Sequence, residues 1–337
     1  MCANMWIFIK FTVGMINGHG DDIYKYNDVR CNFSSNIYAG FSHHGLFDHL
    51  RKTVHLITNY PEPSPVSLEK RIAETKCIDA ECVMATNGAT EAIYLIARTF
   101  HHCEPVIPQP TFSEYADACR DNRGSRRIWW LCVPNNPTGH VIPKKELLDT
   151  ISANSNDVFV VDASYSAYTN QDVLRVEEVV GFNNVIMLCS MTKDYGVPGL
   201  RLGYVVGNSR LLDMIRANRS PWSVNALAIE AGHYLLAHNN EYTIPVDMLV
   251  SERQRVEREL YTKGITTSKS DSHMLLCHLP HSKACDLKEY LVDRYGILIR
   301  DASNFETLTP QHFRIAVQTE KQNDELLNAL TQWISQL

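Results

Sequence analysis

Ser190-Met191-Thr192-Lys193-Asp194-Tyr195-Gly196-Val197-Pro198-Gly199-Leu200-Arg201-Leu202-Gly203-Tyr204 is the stretch that decides how this chain reads. A lysine amine is a weak nucleophile when protonated, but its neutral form condenses with an aldehyde. Lys193 has Ser190 three residues before it and Arg201 eight residues after it. A hydroxyl and a planar guanidinium fork are donors that suit a phosphate. An aldehyde-seeking lysine flanked by phosphate donors points to pyridoxal 5'-phosphate (PLP), which carries both groups. Taken alone, Lys193 would read as a solvated loop residue. Four further segments argue for the cofactor.

The 337 residues leave room for a large domain with a sizeable core and a smaller lobe. Hydrophobic residues at 45% and charged residues at 21% put the chain among soluble globular proteins rather than disordered ones. A net charge of −6, with both signs interspersed, implies no basic face for nucleic acid. The ten cysteines are scattered without C-x-x-C spacing, and several sit in apolar runs such as Leu131-Cys132-Val133. That argues against a zinc ribbon and fits a reducing cytoplasm. Trp6-Ile7-Phe8-Ile9 is apolar, but no basic segment precedes it and Lys10 interrupts the run, which is too short to cross a bilayer. Met15 reads as a natural start, so residues 1–14 are expected to be a disordered extension.

From about Glu81 onward, short apolar runs alternate with amphipathic stretches. Residues 89–100 and 112–119 read as helices, and residues 105–108, 128–133, 158–161, 184–189 and 202–206 as strands. Strands this apolar, separated by helices, imply an α/β fold with a mostly parallel sheet covered on both faces. The loops at one edge of such a sheet carry the chemistry. Beyond about Asn225 come helices at 226–238 and 250–263, short strands at 274–277, 297–300 and 312–317, and a last helix at 322–337. This reads as a smaller α+β lobe joined through a long helix.

Four motifs accompany Lys193. Asn87-Gly88-Ala89-Thr90-Glu91 is a turn that opens a helix, where backbone N–H groups favour a phosphate. Phe112 follows Pro110-Thr111 and reads either as a core aromatic or as a stacking partner for a flat ring. Pro134-Asn135-Asn136-Pro137-Thr138-Gly139 is a turn-rich loop after a strand. Asp162 ends the apolar run Val158-Phe159-Val160-Val161, and a carboxylate there requires a partner.

In this order the motifs resemble the aspartate-aminotransferase-like superfamily of PLP enzymes (fold type I), over nearly everything from Gly18 to Val317. The resemblance implies a large domain with a seven-stranded-type, mostly parallel sheet between helices, plus a smaller α+β C-terminal domain. The corresponding divisions are an N-terminal arm over 15–45 that packs on the small domain, a cofactor domain over 46–224 and a C-terminal domain over 225–337. Lys193 would bind the cofactor aldehyde and move protons. Gly88, Ala89, Thr90, Ser190 and Arg201 would hold the phosphate. Phe112 would stack on the pyridine, Asn136 and Tyr165 would face the ring hydroxyl, and Asp162 would pair with the ring nitrogen. Ala163-Ser164 stands where the family usually has Glu-Ala, which spares both contacting side chains. Tyr60 would reach the phosphate of a neighbouring subunit, which implies a homodimer.

Three further stretches resemble the threonine-phosphate decarboxylases of cobalamin biosynthesis: Asn17-Gly18-His19-Gly20-Asp21, Ser220-Pro221-Trp222-Ser223-Val224-Asn225, and Ile299-Arg300-Asp301-Ala302-Ser303-Asn304-Phe305 with Phe313-Arg314-Ile315-Ala316-Val317. Those enzymes convert L-threonine O-3-phosphate to (R)-1-aminopropan-2-yl phosphate. The alternative is an aminotransferase of the histidinol-phosphate type, which shares the layout. Either way the expected substrate is a small phosphorylated amine, with His19, Asn36, Asn136, Arg300 and Arg314 as its ligands. Asp21 stands where the decarboxylases usually have a second glycine, and a carboxylate there counts against a phosphate cradle. His43-His44 and His101-His102-Cys103 lack a suitably spaced third ligand, so no metal is expected. No membrane or nucleic-acid partner is expected either.

Overall fold

A computed structural model describes residues 20–336. The stretch 1–14 and His19 lie outside the described residues. The strands are β1 (Cys31–Asn32), β2 (Val83–Thr86), β3 (Cys103–Val106), β4 (Arg126–Cys132), β5 (Val158–Asp162), β6 (Val185–Cys189), β7 (Gly203–Gly207), β8 (Thr266–Thr267), β9 (Met274–His278), β10 (Ile297–Leu298), β11 (Arg300–Asp301) and β12 (His312–Ala316). They form a six-stranded sheet in the order β2-β7-β6-β5-β4-β3, a four-stranded sheet in the order β11-β12-β9-β8, and the short pair β1-β10.

In the large sheet β3, β4, β5 and β6 are parallel, while β7 runs antiparallel to both β6 and β2. Alternate residues feed two separate cores. Ile128, Trp130, Val160, Ile186 and Val205 face one, and Leu131, Phe159, Val161, Met187 and Val206 face the other. This two-sided burial explains why the strands read as continuous apolar runs. Each buried aliphatic side chain contributes roughly 1.5–3 kcal/mol.

Six strands form where the resemblance implies seven. The chain passes from the helix Glu114–Ala118 to β4 through residues 119–125. That is too short for another parallel strand, which needs a crossover of a dozen residues or more. β3 is therefore the edge, and Pro105 within it offers no N–H to a further strand.

The sequence places one long helix between the lobes, but the structure uses two. Ala226–Ala237 packs on His44–Thr53 and Val66–Lys76, whereas Val246–Thr262 packs on Glu320–Ile334 and β8. The expected strand at 297–300 divides likewise. β10 pairs with β1 of the N-terminal arm, and β11 pairs with β12.

The polarity of the large sheet builds the site. β2, β4, β5 and β6 all end at one edge, so Asn87, Pro134, Ala163 and Ser190 follow there. β7 runs the other way, which brings its start, just after Arg201, to the same edge. The approach is close. A Cβ at Gly203 would lie 2.9 Å from both Ala89 N and Cys189 O. Gly203→Ala should therefore lower stability by about 1–3 kcal/mol and weaken cofactor binding. Urea unfolding and PLP titration check both effects; unchanged values for both would refute the close approach.

Candidate active site

A cavity of about 460 Å³ opens at this edge. Its lining includes Ala89, Thr90, Phe112, Asn136, Asp162, Tyr165, Ser190, Lys193, Arg201, Asn36, Arg300 and Arg314. These residues come from segments up to some hundreds of positions apart, and the structure brings them together in one cavity. Gly88 lies just behind the wall with a left-handed φ of 77°, and a Cβ on it would stand 2.7 Å from Arg201 Nη2. Only glycine allows that turn without strain and leaves the guanidinium its place. The helix Gly88–Thr99 is fixed by Glu91, whose carboxylate accepts from Asn87 N at 2.6 Å.

Tyr60 is not part of the cavity. It is 86% exposed and lies 5.4 Å from the Trp222 ring.

Asp162 is buried at the end of β5. Its Oδ1 accepts from Ser164 N at 2.9 Å, and its Oδ2 accepts from the Tyr115 hydroxyl at 2.6 Å. Tyr115 is itself wholly buried and stacks on Trp130 at 5.3 Å. Burial first, then the Asp162 carboxylate, pushes the Tyr115 phenol far above its ordinary value, so it stays a donor. Sequence reading missed Tyr115; its position three residues after Phe112 is the only signal it gives.

Lys193 Nζ donates to Ser35 O at 2.8 Å and lies 5.8 Å from the Tyr165 ring. Arg314 is 3% exposed and donates to Asn136 Oδ1 and to Ser34 O, while its Nε has no protein partner. Asn36, with φ 56°, donates to the Tyr165 hydroxyl at 3.2 Å and leaves its own Oδ1 unpartnered. Burial pushes the Lys193 amine down to about 8, with Arg314 next in effect. Burial also pushes the Tyr165 phenol up to about 12.

Sequence reading also missed the Ser34 and Ser35 carbonyls, Tyr168 and His273. Tyr168 donates to Lys193 O at 2.8 Å and stacks on the fully buried His273 at 4.0 Å. Burial holds that imidazole neutral, with its pKa pushed down to about 3. Asp21 lines the cavity, and its Oδ1 accepts from Asn32 Nδ2 at 2.6 Å. The carboxylate that seemed out of place in a phosphate cradle is thus engaged by a neighbour.

The donor set fits PLP. A buried carboxylate is available for a ring nitrogen, an amide and a phenol for a ring hydroxyl, and a helix-opening turn with a hydroxyl and a guanidinium for a phosphate. The unpartnered Arg314 Nε and Asn36 Oδ1 mark polar atoms awaiting a ligand. His43 Nε2 is instead bonded to Tyr195 O at 2.8 Å, and His101 Nδ1 to Arg98 O at 3.1 Å.

The chain belongs to the aminotransferase class I and II family, which matches residues 30–131 and 124–330. It is a PLP-dependent enzyme of fold type I. It is similar to the crystal structure of L-threonine-O-3-phosphate decarboxylase from Porphyromonas gingivalis, with 32% identity and a TM-score of 0.86 over 90% of this chain and 99% of that one. The threonine-phosphate decarboxylase of Salmonella typhimurium is 27% identical over 81% of this chain and 83% of its own length. The histidinol-phosphate aminotransferase of Ruminiclostridium cellulolyticum is 26% identical over 80% and 82% respectively.

The depressed Lys193 pKa predicts a stability signature in the cofactor-free protein. The folded state releases this proton near pH 8, whereas the unfolded chain holds it to about 10.5. Between those values the unfolded state binds more protons, so stability rises with pH. Lys193→Met should therefore stabilise the apoprotein at pH 7, by something on the order of 2 kcal/mol, with the gain fading toward pH 10. Urea unfolding of both proteins from pH 7 to 10 checks this, and a difference independent of pH would contradict it.

Proposed function

We propose that this enzyme decarboxylates L-threonine O-3-phosphate to (R)-1-aminopropan-2-yl phosphate, in the manner of the decarboxylases of cobalamin biosynthesis. The observation that carries the reading is the convergence of Arg300 and Arg314 on the Lys193 end of one cavity. Two guanidinium groups match a small substrate with two anionic groups. Gly20 of the N-terminal arm closes that end, since a Cβ on it would lie 3.2 Å from Arg300 Cδ. The similarity to the P. gingivalis decarboxylase supports the same assignment.

When bound, PLP supplies an electron sink for the bond that breaks at the substrate Cα. Asp162, which accepts from the Tyr115 hydroxyl and the Ser164 N–H, would pair with the positive charge of the pyridine nitrogen. Asn136 and Tyr165 would hold the ring hydroxyl, and Phe112 would pack against the ring. Gly88, Ala89, Thr90, Ser190 and Arg201 hold the cofactor phosphate. Lys193 would anchor the cofactor and would hold the proton that the substrate Cα takes up in place of the departing carbon dioxide. Its lowered pKa suits a group that must both attack and carry a proton near neutrality. Arg314 with Asn136, and Arg300 with Asn36, bind the substrate anions; His19 is assigned there by resemblance alone.

The same proposal includes a cytoplasmic homodimer. Phe47, Val54, Ile57, Tyr60, Val66 and Trp222 are all exposed apolar side chains, drawn from one stretch of chain and the loop at Trp222. A cluster of this kind is unusual on a monomer. It also includes a division into an arm to about residue 45, a large cofactor lobe and a smaller C-terminal lobe. The packing of Ala226–Ala237 on His44–Thr53 and Val66–Lys76 supports a join between the last two at residues 238–245 rather than at 224/225.

The second reading is an aminotransferase acting on histidinol phosphate, favoured by the similarity to the R. cellulolyticum protein. Incubation of the holoenzyme with each phosphorylated amine, followed by mass spectrometry, separates the two. Release of carbon dioxide and aminopropanol phosphate from threonine phosphate is the expected result. Transfer of the amino group to a keto acid without carbon dioxide would overturn the first reading in favour of the second.

Two substitutions test the residue roles. Lys193→Ala should abolish covalent attachment of PLP and turnover together. Arg314→Ala should raise KM at least about tenfold while PLP stays bound; loss of the cofactor instead would reassign the residue.

A further inference from the structure

Lys288 takes no part in the chemistry described above, yet it is buried to 8% exposure on the helix Ala284–Tyr295. Its Nζ lies 2.8 Å and 2.7 Å from the two oxygens of Asp22, which is equally buried. A buried ion pair is retained against its desolvation cost only where both charges are well matched, and removing one partner leaves the other uncompensated. Lys25 offers Asp22 a second cation at 3.2 Å, but from a largely exposed side chain.

The pair sits at the hinge of the arm. Tyr26, whose ring lies 5.4 Å from Lys288 Nζ, donates to Glu289 Oε1 at 2.7 Å and extends the docking along the same helix. In the other direction the chain runs directly into the cavity wall. Asp21 N donates to Ser34 Oγ at 3.1 Å, and Asp21 Oδ1 takes the Asn32 amide. Asn32 Oδ1 in turn accepts from Ser34 N at 2.9 Å and from Ser35 N at 3.2 Å. Those two residues supply the carbonyls that hold Arg314 and Lys193. Gly20 lies against both guanidinium side chains, with its would-be Cβ 3.3 Å from Arg300 Nε and 3.7 Å from Arg314 Nη2. Asp21 keeps a left-handed φ of 59°, a strained choice for a residue with a side chain, which the surrounding contacts must enforce.

We propose that Lys288 is a positioning residue for the substrate's second anionic group: by clamping Asp22 it presses Gly20 and Asp21 against Arg300 and Arg314 and so fixes where the phosphate-sized anion is held. This rests on the reading that a phosphorylated substrate occupies that end of the cavity. Lys288 touches neither substrate nor cofactor. It acts through the arm, and its loss should weaken anion binding more than it slows the chemical step.

The experiment uses the holoenzyme in three forms: the natural protein, Lys288→Met, and the double variant Asp22→Asn with Lys288→Met. Inorganic phosphate is titrated by calorimetry, and threonine phosphate turnover is measured alongside. Lys288→Met should weaken phosphate binding and raise KM by about tenfold, with kcat changed by no more than about twofold and cofactor absorbance unchanged. The double variant, which removes the stranded charge, should recover much of the loss. Phosphate affinity and KM unchanged in Lys288→Met would overturn the proposal. A natural protein that neither binds phosphate nor turns over phosphorylated amines would instead sink the substrate reading, and the positioning role with it. If Lys288→Met fails to fold, the natural holoenzyme still decides. Inorganic phosphate should slow tryptic cleavage after Lys25 and Arg30, and cleavage indifferent to phosphate would count against the arm's role.

Discussion

Lys193, Arg300 and Arg314 line a single cavity, and the repulsion among them is the constraint around which the site is arranged. Arg314 is one of the groups that lowers the Lys193 pKa, and Arg300 does the same to Arg314. Without compensation, three cations in a partly buried space would force one another apart. Backbone carbonyls serve two of the three. Ser35 O holds the Lys193 amine and Ser34 O one end of the Arg314 guanidinium, while Asp21 and Asp162 act on that amine as negative charges. Neutral acceptors hold the cations in place yet leave the cavity positive, which is the state an anionic cofactor and an anionic substrate require.

The same constraint explains why the arm is part of the site. Residues 20–36 are not within the large sheet, yet they carry both carbonyls and Asp21. They must be held by something other than the sheet, and β1 pairing with β10 together with the Asp22–Lys288 pair does this. One end of the cavity is built from strand ends and is therefore rigid. The other draws on the arm and on β11 and β12 of the second sheet, so its geometry depends on contacts far along the chain.

That division also marks what the sequence reveals. β4, β5, β6 and β7 were legible because two-sided burial makes them apolar runs, whereas β2 was not read as a strand and the half-exposed β3 begins two residues before the run read for it. The reversed direction of β7 was not legible, since an apolar run carries no sign of its polarity, although it is this reversal that brings Arg201 to the edge. The division of residues 297–301 between two sheets was hidden for a similar reason, because the partner β1 lies in the arm. Tyr115, Ser34, Ser35 and Lys288 were missed because each acts through a contact of long sequence separation and belongs to no local pattern. Nor does anything in the sequence signal that Asn32 donates to the Asp21 carboxylate in the cavity wall.

The Asp162–Tyr115 bond shows how the rigid end is tuned. A carboxylate at the end of a buried strand is costly unless it has hydrogen-bond partners. Asp162 has two donors, and one of them is a phenol that burial keeps protonated. Tyr115 is held by its stacking on Trp130, whose position is set by the register of β4 against β5. The hydrogen bonding of the Asp162 carboxylate thus follows from sheet register, through one aromatic pair and one hydrogen bond. A change in packing at Trp130 would reach the chemistry without touching any residue that contacts cofactor or substrate.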